Sequence, residues 1–347
     1  MHNLSTMAAR ATRSTTRAAA LSERTRDSAA VATGPLGALS HDELGVVVDG
    51  LADPLQPVVA VALSSTCKGL RTPLRAALEL LQERHARAVA LCRKVGTTCA
   101  VLSYTQALPW TSAGLTADDM ATLRMILCTC GLPRLAGLVL HNNSFGDAGM
   151  QSLCEGLGSG GAPELRVLSL GQTDGSEEVG PTGAMFLDHG NDDFGPAGAE
   201  AFAAVLRSGS LPCLAALSLS GASIGSQGLT NLAAPLRKLP TLISLSLTFC
   251  EIGDEGVASL VDGLGKDDFK ALRQVHLAGN KITDTGMAKL AATIDGGGMP
   301  KLVDGKGLLA GGLWKGNLLA SAPAYQAVQA ALAKRQDAPF SFDDLLS

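Results

Sequence analysis

The chain has 347 residues with 28 Lys and Arg against 32 Asp and Glu, a net charge of −4 that excludes a surface built for nucleic acid or an acidic membrane. Hydrophobic residues make up 46% but aromatics only 3%, which fits thin units of alanine, leucine and glycine rather than a bulky enzyme core. No apolar run reaches the roughly 20 residues of a membrane span, and the eight cysteines include no C-x-x-C pair, so reduced thiols in a cytoplasmic protein are expected.

Residues 1–35 are rich in Ala, Ser, Thr and Arg, and Arg10, Arg13 and Arg17 precede the first acid, Glu23. That composition fits a disordered tail or an organellar targeting segment. A helical face follows at Leu44, Val47, Val48 and Leu51, stopped by Asp53-Pro54. Leu55, Val58, Val59, Ala62 and Leu63 suit a second helix, and Cys67–Arg71 a third short turn. Residues 75–95 predict an amphipathic helix with Leu78, Leu81, His85, Val89 and Cys92 in one stripe.

From here the chain repeats. Leu242, Leu245 and Leu247 alternate onto one face of a short strand, and Gly256, Val257, Leu260 and Leu264 continue at helical spacing. The middle strand positions of successive units are Leu138, Leu168, Leu217, Leu245 and Val275, at intervals of 30, 49, 28 and 30. From each of these to the helix-start glycine (Gly149, Gly198, Gly228, Gly256, Gly286) is 11 residues, except 30 in the second unit. A 19-residue insertion, 172–190, therefore leaves the scaffold there, at a place where loops commonly carry binding residues. A weaker unit around Leu108, Trp110 and Leu123 precedes these, and Pro300-Lys-Leu302 opens a degenerate one whose pattern dissolves into glycine at 303–312. Such a unit cannot bury both apolar faces alone, so copies must stack.

The motif LxxLxLxx(N/C)xφG stands as LAGLVLHNNSFG from Leu135, LISLSLTFCEIG from Leu242 and LRQVHLAGNKIT from Leu272. It resembles the leucine-rich repeat family in its ribonuclease-inhibitor-like form. The resemblance implies an α/β horseshoe of about six to seven repeats over 97–335, with a parallel sheet inside and helices outside. The Asn/Cys position is Asn143, Asp192, Ala222, Cys250 and Asn280. A short polar or sulfur side chain there can bond backbone groups as the strand turns away, which Ala222 cannot do.

The segment 36–96 is expected to be a helical module closing the array's N-terminal end. Leu39, Asp42-Glu43-Leu44, Leu51, Asp53-Pro54, Val58, Ala62-Leu63, Cys67 and Leu70-Arg71 resemble an F-box, which implies docking of a ubiquitin-ligase adaptor through Leu39, Leu44, Leu51, Pro54 and Val58. Ser40 stands where that family has proline, and the aromatic near its final arginine is missing. The tail 336–347 is acidic and carries Phe340 and Phe342.

Chemical motifs dissolve into the repeat. Gly156–Gly161 satisfies GxGxxG but follows a helix rather than a strand. Gly221–Gly225 satisfies GxSxG, yet Ser223 shares its column with Ser144, Asp193, Glu251 and Lys281, a variable exposed position. The six histidines form no HxxxH pair, so no metal, cofactor or catalytic set is expected. What remains is the inner face of the sheet, with Val139, His141, Ser169, Ser218, Ser220, Ser246, Thr248 and His276, and Phe249 as its one large neighbour. This surface is small, hydroxylated and uncharged, and suits a protein partner approaching closely. Three functions fit: a substrate receptor of a cullin-type ubiquitin ligase, a GTPase activator resembling the Ran type, and a cytoskeletal or ciliary scaffold.

Overall fold

The computed structural model describes residues 43, 46, 47, 52–66, 75–171, 194–302, 317 and 320–335. In chain order its elements are α1 (Val58–Thr66), α2 (Arg75–Lys94), α3 (Cys99–Leu102), β1 (Ala107–Pro109), α4 (Ala117–Thr129), β2 (Gly137–Val139) and α5 (Gly146–Gly158). Then come β3 (Val167–Ser169), α6 (Pro196–Ser208), β4 (Ala216–Ser218), α7 (Gly225–Arg237), β5 (Ser244–Ser246), α8 (Asp254–Val261), β6 (Gln274–His276), α9 (Asp284–Asp295) and α10 (Ala322–Ala333). The strands form one parallel sheet in the order β1 to β6, and successive helices pack side by side in the same order. Helices need about 10 Å between axes and strands about 4.8 Å, so stacking them in step bends the array with the sheet on the inside. It is an α/β horseshoe.

The register counted from the leucines is the register of the sheet. Leu108 pairs with Leu138, Leu138 with Leu168, Leu168 with Leu217, Leu217 with Leu245 and Leu245 with Val275. One apolar core runs from Leu55 to Leu332, and the strand leucines in it are closed to solvent, with Leu245 at 0% exposure. The column just before each helix, Phe145, Phe194, Ile224, Ile252 and Ile282, is buried as well. Phe145 and Phe194 stack at 6.5 Å between ring centroids, so the unit interrupted between 171 and 194 rejoins its neighbour in step.

Two side-chain ladders hold the units together. Asn143 Nδ2 donates to the carbonyls of Trp110 and Leu140, each at 2.8 Å, while its Oδ1 accepts from Leu115 N–H at 2.9 Å. Asn280 does the same in that column four units along, accepting from Cys250 N–H at 2.9 Å and Ile252 N–H at 3.0 Å and donating to Leu247 O and Leu277 O at 2.7 and 2.9 Å. Each asparagine thus satisfies buried backbone groups of its own unit and of the preceding one. Cys250 Sγ donates to Leu219 O at 3.1 Å, and the Ile224 N–H turns back to Ala222 O at 2.8 Å. The second ladder runs along the helix starts. Asp147 Oδ1 accepts from Gly195 and Gly198 N–H at 2.8 Å, Asp254 Oδ1 from Thr283 N–H at 2.8 Å, and Asp284 Oδ1 from Ser321 N–H at 2.5 Å. Anionic acceptors at the N-terminal turn of one helix also suit its dipole.

The repeated glycine at each helix start is a matter of space. A Cβ on Gly256 would stand 2.8 Å from Ile252 Cγ2 and 3.2 Å from the Ser226 Cα of the preceding unit. Alanine is ordinarily favoured over glycine in a helix by about 1 kcal/mol; here that gain is opposed by overlap with a backbone atom.

The degenerate final unit keeps more of the pattern than its sequence shows. Asn317 is fully buried, accepts from Ile282 N–H at 3.2 Å and donates to Leu277 O at 2.9 Å, so the asparagine ladder gains another rung. It was missed because it stands 15 residues after Leu302 instead of the 8 that separate Leu272 from Asn280. The glycine-rich stretch 303–312 lies outside the described residues. Beside this unit a small apolar cavity is lined by Val257, Leu260, Val275, Leu290 and Val328 among others. Val275 is where the other units place leucine.

Two outcomes follow for thermal or denaturant unfolding. Asn280→Ala strands three buried backbone groups, the N–H of Cys250 and Ile252 and the carbonyl of Leu247, since Leu277 O keeps Asn317, and is expected to lower stability by about 3–5 kcal/mol. Val275→Leu restores the missing methylene toward the cavity and is expected to raise it by about 1 kcal/mol.

Candidate functional site

The inner face is built by alternation. Leu138, Leu168, Leu217 and Leu245 point into the core, so Val139, Ser169, Ser218, Ser246 and His276 point the other way, followed two residues later by His141, Ser220 and Thr248. Three residues per strand leave only this narrow band before the asparagine ladder turns the chain away.

The structure links these side chains to one another. His141 Nε2 is hydrogen-bonded to Ser169 Oγ across β2 and β3. Ser218 Oγ contacts Ser220 Oγ at 3.1 Å, and Ser220 Oγ contacts Ser246 Oγ at 2.8 Å, which carries the hydroxyl row from β4 to β5. Ser169, expected to be open, is only 8% exposed beneath this network. Such depth leaves the Ser169–His141 pair bracing the sheet rather than presenting a nucleophile. Val139, Ser218, Ser220, Ser246, Thr248 and His276 are half-buried, and none of these positions carries a fixed charge. Phe249, expected as the one large exposed side chain, is half-buried too. Its backbone is left-handed (φ 54), and its ring lies over Gly279 of the next unit, where any Cβ would collide with it.

A further row was overlooked in the sequence. One position before each middle leucine, Val167 and Ala216 also face inward and cluster with Ala215 and Ile243 into a small apolar patch. Extending the same alternation two residues backward finds them. On β3 and β4 the face is therefore divided, with Val167 and Ala216 at the strand starts and Ser169 and Ser218 at the strand ends.

At the N-terminal end, Asp53 Oδ1 accepts from Leu55 N–H at 2.8 Å and Pro54 O is bonded to His85 Nδ1 at 2.7 Å. Pro54 and Leu55 are buried, and Asp53 reaches Cys130 at the end of α4; burial, then that carboxylate, pushes the Cys130 thiol up to about 12. In α1 Val58, Val59 and Ala62 are turned outward, with Val58 73% exposed, and among the side chains described Ala60 is the buried one. The reason is length: Leu55 lies before the helix begins, so it anchors the turn rather than the helical stripe. Leu39, Leu44 and Leu51, the insertion 172–190, and the segments 1–35 and 336–347 lie outside the described residues.

Residues 238–261 and 271–291 match the family model of the leucine rich repeat. These two stretches are leucine-rich repeats. No curated protein matches the chain. The two matched stretches cover β5, α8, β6 and most of α9, the units whose turns carry Cys250 and Asn280. Leucine-rich repeats are protein-binding modules, and the uncharged inner face offers that kind of surface. Among the described residues no group of three or more His, Cys, Asp or Glu could hold a metal ion, and no helix is long and apolar enough to cross a membrane.

The half-buried His141 gives the site a pH signature. Burial pulls the His141 imidazole below its ordinary value of 6.5. The unfolded chain therefore takes up a proton that the folded one resists. The stability contribution is present above the unfolded pKa and is lost as pH falls from there toward the lowered folded value. The melting temperature is expected to drop between about pH 7 and about pH 5, and His141→Gln, which can still bond Ser169, is expected to remove part of that drop.

Proposed function

We propose that this protein is a substrate receptor of a cullin-type ubiquitin ligase, with its N-terminal helical segment docking the adaptor and the inner face of the repeats holding a target protein. The observation that carries this reading is the outward apolar face of α1, where Val58, Val59 and Val61 stand in solvent while Pro54 and Leu55 anchor the same segment to the array. A segment serving only as a lid would turn its valines inward; an apolar helix face left open suits a partner. The resemblance of residues 39–71 to an F-box names the partner class, and the long repeats, each with a strand and a full helix, fit the ribonuclease-inhibitor-like type. Catalysis would belong to the ligase, with this chain supplying two binding surfaces.

The test uses Val58→Glu. The position is exposed, so the change is expected to alter stability by less than about 0.5 kcal/mol. The purified wild-type chain is expected to capture the ligase adaptor in a pull-down, and the variant to lose it while its melting curve and far-ultraviolet dichroism stay unchanged. A well-folded wild-type chain that captures no adaptor would remove the ligase reading and leave a leucine-rich repeat protein that binds through its inner face alone.

A further inference from the structure

Cys92 lies in the last turn of α2 and Cys99 is the first residue of α3, and their sulfurs stand 3.7 Å apart, both buried. The turn between them is hinged at Gly96, which is left-handed (φ 70) with nothing within 4 Å of where a Cβ would sit. Its ends are fixed, since Thr97 N–H donates to Cys92 O at 2.8 Å and Thr98 Oγ1 accepts from Val101 N–H at 3.3 Å. A disulfide places its sulfurs about 2.05 Å apart, so each would move by less than about 1 Å, and an open glycine turn can absorb that. The location gives the pair a consequence. Leu91, Cys92, Cys99 and Leu102 share the core of Leu108 and Leu123, at the junction where α2, packed on α4, passes the chain to the first repeat.

We propose that Cys92 and Cys99 form a reversible disulfide latch that hydrogen peroxide closes, clamping the N-terminal helical segment to the first repeat. Cys99 is the more exposed of the two, at 9% against 2%, and meets the oxidant. Its sulfur attacks the peroxide oxygen, the O–O bond breaks, a sulfenic acid forms and water leaves. The Cys92 sulfur then attacks the Cys99 sulfur, the S–O bond breaks and a second water departs. Two thiols have lost two hydrogens and one peroxide has become two waters; a small dithiol reverses the change. Burial, and after it the neighbouring Cys99, pushes the Cys92 thiol up to about 12, so the latch closes slowly and answers sustained rather than brief oxidation. The proposal is independent of which partner α1 binds.

The full-length chain is treated with hydrogen peroxide, alkylated, digested and examined by mass spectrometry, alongside its melting curve. The expected result is a Cys92–Cys99 linked peptide and a melting temperature about 5 °C higher, with both effects reversed by dithiothreitol. Cys99→Ala is expected to show neither. In Cys92→Ala the sulfenic acid should persist on Cys99 and be trapped by dimedone, a readout that does not depend on any gain in stability. The latch is overturned if oxidation stops at the more accessible Cys128 and Cys213 while Cys92 and Cys99 stay unlinked. It is equally overturned if the linked peptide forms with no rise in melting temperature and no slowing of hydrogen exchange over residues 75–94.

Discussion

Where each three-residue strand gives way to its helix, the turning backbone leaves N–H and C=O groups inside an apolar core, and water cannot reach them. An unpaired buried group costs about 1–3 kcal/mol, so a stack of such turns is possible only if something bonds them. In this protein a single asparagine amide does so for two units at once, as Asn143 does for Trp110, Leu115 and Leu140, and Asn280 for Leu247, Cys250, Ile252 and Leu277. The bond works only between neighbours in step. It therefore fixes the sheet register, the length of the strands and the narrow width of the inner face. The leucines supply the larger share of the burial energy, but they would tolerate more than one arrangement; the amide ladder tolerates one.

The sheet and its register were legible because the period was counted over five copies and every strand leucine had a partner at the same offset. The concave band was legible for the same reason, since alternation is geometric. Phe249 was misjudged because a sequence does not show the left-handed turn that lays its ring over Gly279. Asn317 was missed because seven extra residues hid the column it belongs to. The helix-start glycines were visible as a column but not explained by it; their cause is the approach of the neighbouring unit, which only the stacked structure displays. At the N-terminal end, apolar periodicity marked the helices but could not say which face they bury, because the answer depends on the turn at Asp53-Pro54 and its contacts with His85 and Cys130.

Function follows from which surfaces the packing leaves over. The helices are consumed by one another and by the core, and their outer charges pair across units, as in Arg124–Glu155 at 2.5 Å and Lys289–Asp262 at 2.6 Å. Exposed pairs of this kind stabilise little and discriminate few partners. The inner face has no charge to steer a target, so any affinity there would come from close fit along its half-buried hydroxyls. The exposed valines of α1 offer the opposite chemistry, an apolar helix face at the end of a rigid array.

The account rests on the claim that turns of adjacent units are bonded through the asparagine ladder, and native-state hydrogen exchange resolved to single amides tests it. The N–H groups of Leu115, Cys250 and Ile252 are predicted to exchange as slowly as the sheet amides of Leu140 and Leu247, and to open with them in one cooperative event as denaturant is added. If the three turn amides exchange at the rate of a free loop while Leu140 and Leu247 remain protected, the ladder does not join the units, and the register is held by the leucines alone.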